Sequence, residues 1–136
     1  MSKFKSCCIV DDDEFFAFQT KKLMKEKGFC ENVLVFSDGQ DAIDGLVGLL
    51  IENIPLPEII LLDLNMPRKD GWEFLDEFVK IPLSQRENCA VYIASSFVSP
   101  KNLERTEFYD VIRDYLVKPL TKESLQQIIE TKKTPC

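Results

Sequence analysis

"EIILLDLNMP", residues 58–67, sets an unbroken apolar run, Ile59 to Leu62, directly against the carboxylate of Asp63. A short apolar run bounded by turn residues reads as a strand buried on both faces. Strands of that kind belong to parallel sheets covered by helices on either side. A carboxylate at the tip of such a strand calls for a reason, because burying an unpaired charge is costly. The run is a rigid mount, and the reason must come from what the other strands place beside it.

The rest of the chain repeats the same unit. Strands are predicted at "KSCCIV" (5–10), "NVLVF" (32–36), "PEIILLD" (57–63), "AVYIAS" (90–95) and "DYLV" (114–117). Helices are predicted between and after them, at 14–27, 37–53, 71–80, 99–110 and 121–133. Gly28 stops the first helix. Ser99 caps the fourth, with Pro100 at its first position, and Thr121 caps the last. Strand–helix alternation with apolar, β-branched strands predicts an α/β fold, a parallel sheet with helices on both faces. No linker, repeat or low-complexity tract interrupts it, so a single domain is expected over 1–136, with no output domain.

At roughly 100° per residue, Phe16, Thr20, Leu23, Met24 and Lys27 share one face of the first helix. That face is expected against the sheet. Phe18 then lies nearly opposite, flanked by Phe15, Gln19 and Lys22. Outward aromatics side by side point to a docking surface. In the second helix Ala42, Ile43, Leu46, Leu49 and Leu50 form the inward face.

Composition removes several function classes. The net charge of −6 makes nucleic acid a poor partner and favours a cation or a basic protein surface. No apolar stretch approaches the roughly 20 residues of a membrane span. "MSKFKSCC" does not form a signal peptide, so a cytoplasmic location is expected. The absence of histidine removes any scheme with a His base or a His-ligated metal. The five cysteines, Cys7, Cys8, Cys30, Cys89 and Cys136, include no C-x-x-C pair. They read as reduced packing residues, with Cys7 and Cys8 on opposite faces of one strand.

In parallel sheets the working site lies beyond the carboxyl ends of the strands. Asp11, Asp12 and Asp13 follow the first strand, and Asp63 ends the third. Ser95 and Ser96 end the fourth, while Lys118 and Pro119 follow the fifth. Converging carboxylates raise each other's pKa, and a hard divalent cation relieves the repulsion. Magnesium takes oxygen ligands and needs only one or two carboxylates. Asp13 is assigned to capping the first helix rather than to the site. "NMP" and "KDG" give the loop after the third strand its turn chemistry, with Gly71 supplying backbone freedom.

The motifs "CIVDDDE", "IILLDLNMPRKDGWEFL", "YIASS" and "DYLVKPLT" together resemble the receiver domain of bacterial two-component response regulators, along essentially the whole chain. The resemblance implies a flavodoxin-like three-layer sandwich with a five-stranded parallel sheet in the order 2-1-3-4-5. It implies a stand-alone response regulator that accepts a phosphoryl group on Asp63 and switches partner binding. Asp11, Asp12, Asp63 and the backbone carbonyl of Asn65 would hold Mg2+, with Mn2+ also possible. Ser95 and Lys118 would bind the phosphoryl group, and Ser95 and Tyr115 would act as the switch. A cis peptide between Lys118 and Pro119 is implied as well. The donor would be a histidine kinase or a histidine phosphotransfer protein, since this chain has no histidine. An unknown downstream protein would read the state. The activity would be limited to the chain's own phosphorylation and dephosphorylation, so it is not expected to be an enzyme. Phe15, Phe18, Gln19 and Lys22 would meet the donor, as this helix does in the family.

Two positions depart from the commonest family pattern. Ser96 stands where alanine is usual, and Phe97 follows it. Both bear on water access to an acyl phosphate. Other classes fit less well. An aspartate-nucleophile phosphatase of the haloacid dehalogenase type needs an acid two residues after its nucleophile, and Asn65 stands there. A flavodoxin-like electron carrier would face three aspartates where its phosphate loop belongs. A phosphorylation-independent interaction module remains as the alternative.

Overall fold

A computed structural model describes residues 3–133; Cys136, expected as a reduced thiol, lies outside them. The elements run β1 (Phe4–Val10), α1 (Glu14–Glu26), β2 (Cys30–Phe36), α2 (Gly39–Ile51), β3 (Ile59–Leu62), α3 (Gly71–Phe78), α4 (Leu83–Arg86), β4 (Ala90–Ser95), α5 (Pro100–Thr106), β5 (Ile112–Val117) and α6 (Lys122–Lys133). The strands form one parallel sheet in the order β2-β1-β3-β4-β5. This is the three-layer α/β architecture expected.

β3 is central, and each of its residues is buried. Alternation divides them between two cores. Ile59 and Leu61 join Phe16, Ala17, Met24, Leu125 and Ile128, from α1 and α6. Ile60 and Leu62 join Ala42, Leu46, Phe74, Leu75 and Phe78, from α2 and α3. The continuous apolar run is therefore the product of two covered faces. Cys7 falls in the first core and Cys8 in the second. The four described cysteines are free and buried. Burial pushes the thiol of Cys8 well above its usual range and that of Cys89 up to about 12, which leaves them unreactive packing groups.

The caps follow the sequence reading. Asp13 accepts from the Phe16 N–H at 3.0 Å, Ser99 from Asn102 at 3.3 Å, and Thr121 from Ser124 at 3.2 Å. Gly28 has φ 59° after α1, the left-handed stop that glycine adopts without strain.

Three expectations need correction. Lys27 does not face the sheet: α1 ends at Glu26, and Lys27 is an exposed cap whose N–H reaches the Leu23 carbonyl at 3.1 Å. Ala17 fills the inward face instead, too small to stand out in an apolar pattern. α4 was not expected. It is a single turn after Pro82 with no buried residue, so no periodicity marks it. Strand bounds also moved, β2 and β5 beginning two residues earlier than read and β3 being trimmed to Ile59–Leu62. No helix among the described residues is long and apolar enough to cross a membrane.

Candidate functional site

The sheet ladder continues one residue past the ends of β1, β3 and β5. The Asp11 N–H donates to the Phe36 carbonyl at 3.0 Å, and the Asp63 N–H to the Val10 carbonyl at 2.9 Å. The Lys118 N–H donates to the Ser95 carbonyl at 2.7 Å. Asp11, Asp63 and Lys118 are thereby fixed to their neighbouring strands. The rim that results is not a flexible loop cluster but the edge of the sheet itself.

Carboxylate oxygens of Asp11, Asp12 and Asp63 lie within 4.8 Å of one another. Asp11 and Asp63 are buried, while Asp12 faces solvent. The Lys118 ammonium stands 2.7 Å from Asp11 Oδ2 and 3.9 Å from Asp63 Oδ1. Ser95 is buried at the end of β4. The Lys118–Pro119 peptide is cis, as the resemblance implied.

One ammonium against three carboxylates leaves negative charge uncompensated. Burial and the charge of Asp11 push the Asp63 carboxyl up to about 6, against the opposing pull of Lys118 and the Asn65 N–H. Burial also raises Asp11, opposed by Lys118 and by the Asp13 N–H, which donates to its Oδ1 at 2.9 Å. An oxygen-only donor set at this spacing suits a hard divalent cation, which neutralises the repulsion without thiol or imidazole ligands.

Tyr115, on β5, is half-buried, and its enclosed hydroxyl has no hydrogen-bond partner among the described residues. Phe18 and Phe15 are each 68% exposed, opposite the buried face of α1. With Gln19 and Lys22 they line a groove of about 430 Å³ that ends at Pro119 and Leu120, next to Lys118. The sequence pattern gave these outward residues. It did not give their continuity with the rim.

Two participants escaped the sequence reading. The Phe16 ring, assigned only to the core, lies 4.4 Å beneath the Lys118 ammonium and holds it by a cation–π contact. The available signal was that Phe16 is the first aromatic on the inward face of the helix after the acidic run. The second concerns the loop after β3. Gly71 was expected to supply backbone freedom, yet the left-handed residue there is Arg68, with φ 62°. Gly71 is needed for space instead. A Cβ on it would lie 2.6 Å from the Asp63 carbonyl oxygen and 2.8 Å from Leu64 Cα. Its N–H closes the loop onto the Leu64 carbonyl at 3.0 Å.

Residues 7–130 match the family model of the response regulator receiver domain. The chain belongs to this family. Among curated proteins, this receiver is 29% identical over 123 residues to the probable methanogenesis regulatory protein FilR2 of Methanothrix harundinacea. That match covers 90% of this chain and 77% of FilR2. The chain spans only 35 to 53% of the next curated relatives. Among solved structures, a two-component response regulator from Cytophaga hutchinsonii superposes with a TM-score of 0.87 at 27% identity, covering 96% of this chain and 98% of that one. A receiver protein from Dyadobacter fermentans gives 0.81 at 30%, covering 97% and 99%. The phosphatase and electron-carrier alternatives fall away with this family membership.

Proposed function

We propose that this receiver is a phospho-accepting switch in which Asp63 takes a phosphoryl group from a phosphohistidine on a histidine kinase or histidine phosphotransfer protein. The observation that carries the proposal is the convergence of Asp11, Asp12 and Asp63 within 4.8 Å, with Lys118 reaching two of them. A carboxylate oxygen of Asp63 is the nucleophile. The P–O bond to Asp63 forms as the donor's P–N bond breaks, and the leaving imidazole takes up a proton from solvent. Little chemistry is required of the protein beyond in-line positioning and charge neutralisation.

Asp11, Asp12, Asp63 and the Asn65 carbonyl would hold a magnesium ion, which supplies neutralising charge to the phosphoryl oxygens; manganese suits the same donors. Lys118 pairs with a second phosphoryl oxygen, and the Ser95 hydroxyl donates to a third. Tyr115 responds when the Ser95 hydroxyl turns to the phosphoryl group, its own hydroxyl having no partner among the described residues. The partner bound by the altered surface reads the state. A cytoplasmic location and reduced cysteines go with this role. Incubation with acetyl phosphate and magnesium, followed by intact-mass measurement, tests the proposal. One added phosphoryl group is expected, and an unchanged mass would refute it.

The donor docks on the exposed face of α1. Phe18→Ser is expected to slow transfer from the cognate kinase at least about tenfold, the effect of losing roughly 1.4 kcal/mol of transition-state contact. Acetyl phosphate should label that variant at the normal rate. Equal slowing by both routes, or slowing by neither, would remove Phe18 from the docking surface.

Ser96 and Phe97 follow Ser95 on the open side of the rim, with Phe97 69% exposed. They are expected to hinder the water that hydrolyses the acyl phosphate. The phosphorylated wild type should outlast Ser96→Ala/Phe97→Glu by roughly tenfold, a barrier difference of only about 1.4 kcal/mol. Matching decay curves for the two proteins would reject this.

A further inference from the structure

Arg68 holds a left-handed backbone, φ 62°, that strains an ordinary side chain. Its guanidinium grips Asp38 twice, Nε to Oδ2 at 2.8 Å and Nη2 to Oδ1 at 3.1 Å. Nη2 also donates to Asp41 Oδ1 at 2.6 Å. Asp38 is buried, and the same carboxylate caps α2 by accepting from the Asp41 N–H at 2.9 Å. The Arg68 side chain is 56% exposed, and pairs with an exposed partner add little to stability. A bidentate fork does, however, fix relative position.

The backbone on each side shows what is being positioned. Next to Asp38, the Gly39 N–H donates to the Lys69 carbonyl at 3.0 Å. A Cβ on Gly39 would stand 2.6 Å from that oxygen, so the two segments are in closest contact. On the other side, the Phe36 carbonyl accepts from the Asp11 N–H. The segment from Phe36 to Gly39 therefore touches both halves of the acidic rim. One half carries Asp11 and Asp12. The other is the loop that carries Asn65, whose N–H supports the Asp63 carboxylate.

We infer that Arg68 and Asp38 form a positioning clamp that sets the distance between the Asn65 loop and the Asp11–Asp12 strand end, and so tunes the affinity of the rim for a divalent cation. The inference rests on the proposed reading of the rim as a cation site. Magnesium demands near-octahedral geometry at roughly 2.0–2.1 Å, so a loop that drifts by a fraction of an ångström loses affinity. Arg68 is a positioning residue; it touches no candidate ligand side chain itself.

Magnesium chloride titrations by calorimetry test the clamp in four variants of the full chain. Arg68→Gly removes the left-handed strain, so thermal stability should hold or rise. Magnesium affinity should nonetheless fall about tenfold, the scale of losing a support behind the ligands. Asp38→Asn keeps the helix cap but should lose affinity to a similar degree. Arg68→Lys, with a charge but no fork, should fall between. Affinity falling while stability holds or rises in Arg68→Gly is an outcome that a merely structural role would not produce. Asp12→Asn is the control. Affinity lost in Asp12→Asn but within about twofold of wild type in Arg68→Gly and Asp38→Asn would overturn the clamp alone. Wild-type affinity in Asp12→Asn would overturn the cation site, and the clamp with it.

Discussion

Asp63→Asn is expected to abolish phosphoryl uptake completely and, without metal, to stabilise the fold at neutral pH. The first effect follows because an amide has no carboxylate oxygen to attack phosphorus. Intact mass after acetyl phosphate treatment should not change in the variant. Labelling equal to wild type would place the acceptor elsewhere. The second effect follows from charge. In the folded chain Asp63 is pushed up to about 6 by burial first and by Asp11 second. The unfolded chain has lost that proton by about pH 4. Between those values the folded state binds more protons than the unfolded one, so stability falls as pH rises. The favourable contribution of Asp63 is fully present below about pH 4 and is gone above about pH 6.

A shift from 3.8 to about 6 corresponds to roughly 2–3 kcal/mol. Asp63→Asn should regain about that much at pH 7.5 in metal-free urea denaturation, and its stability should change less between pH 4 and 6. Added magnesium should stabilise the wild type by mass action and the variant much less. A variant no more stable than wild type at pH 7.5 would show that burial beside Asp11 does not penalise the Asp63 carboxylate.

Gly71→Ala is expected to destabilise the fold by about 3 kcal/mol, at the upper end for overpacking. The usual relief is a side chain moving aside. Here the new methyl would meet the Asp63 carbonyl oxygen at 2.6 Å and Leu64 Cα at 2.8 Å, both backbone. Asp63 is tied to Val10, and the loop is tied back through the Gly71 N–H to Leu64. Relief therefore requires moving the candidate phosphoacceptor or opening the loop beside it. Phosphorylation by acetyl phosphate should slow together with the loss of stability. A variant within about 0.5 kcal/mol of wild type in urea denaturation, the range of ordinary surface substitutions, would show that the loop has room.

Much of this protein was written locally. The apolar run Ile59–Leu62 reported a strand covered on both faces, because burial on two sides removes the need for alternation. Asp13, Ser99 and Thr121 announced their helices, because a cap is satisfied within three residues of itself. The rim was legible for a related reason. In a parallel sheet the residues after each strand must meet at one edge, so Asp11, Asp12, Asp63, Ser95 and Lys118 could be assembled from strand ends alone. The same locality explains the failures. Lys27 followed the helical angle but lay past the end of α1, where the angle no longer applies. α4 is too short to carry a period.

Tertiary structure decided what depends on contact across long sequence distances. The Phe16 ring under Lys118 joins α1 to the segment after β5. The Arg68 fork joins a loop to a helix cap thirty residues earlier. Gly71 was legible as a glycine, but not as the one residue type that fits against the Asp63 backbone. Local sequence encodes which element forms and which face it buries. How closely two backbones approach, and which charges are left to share one ammonium, is set only when the sheet brings its strand ends together.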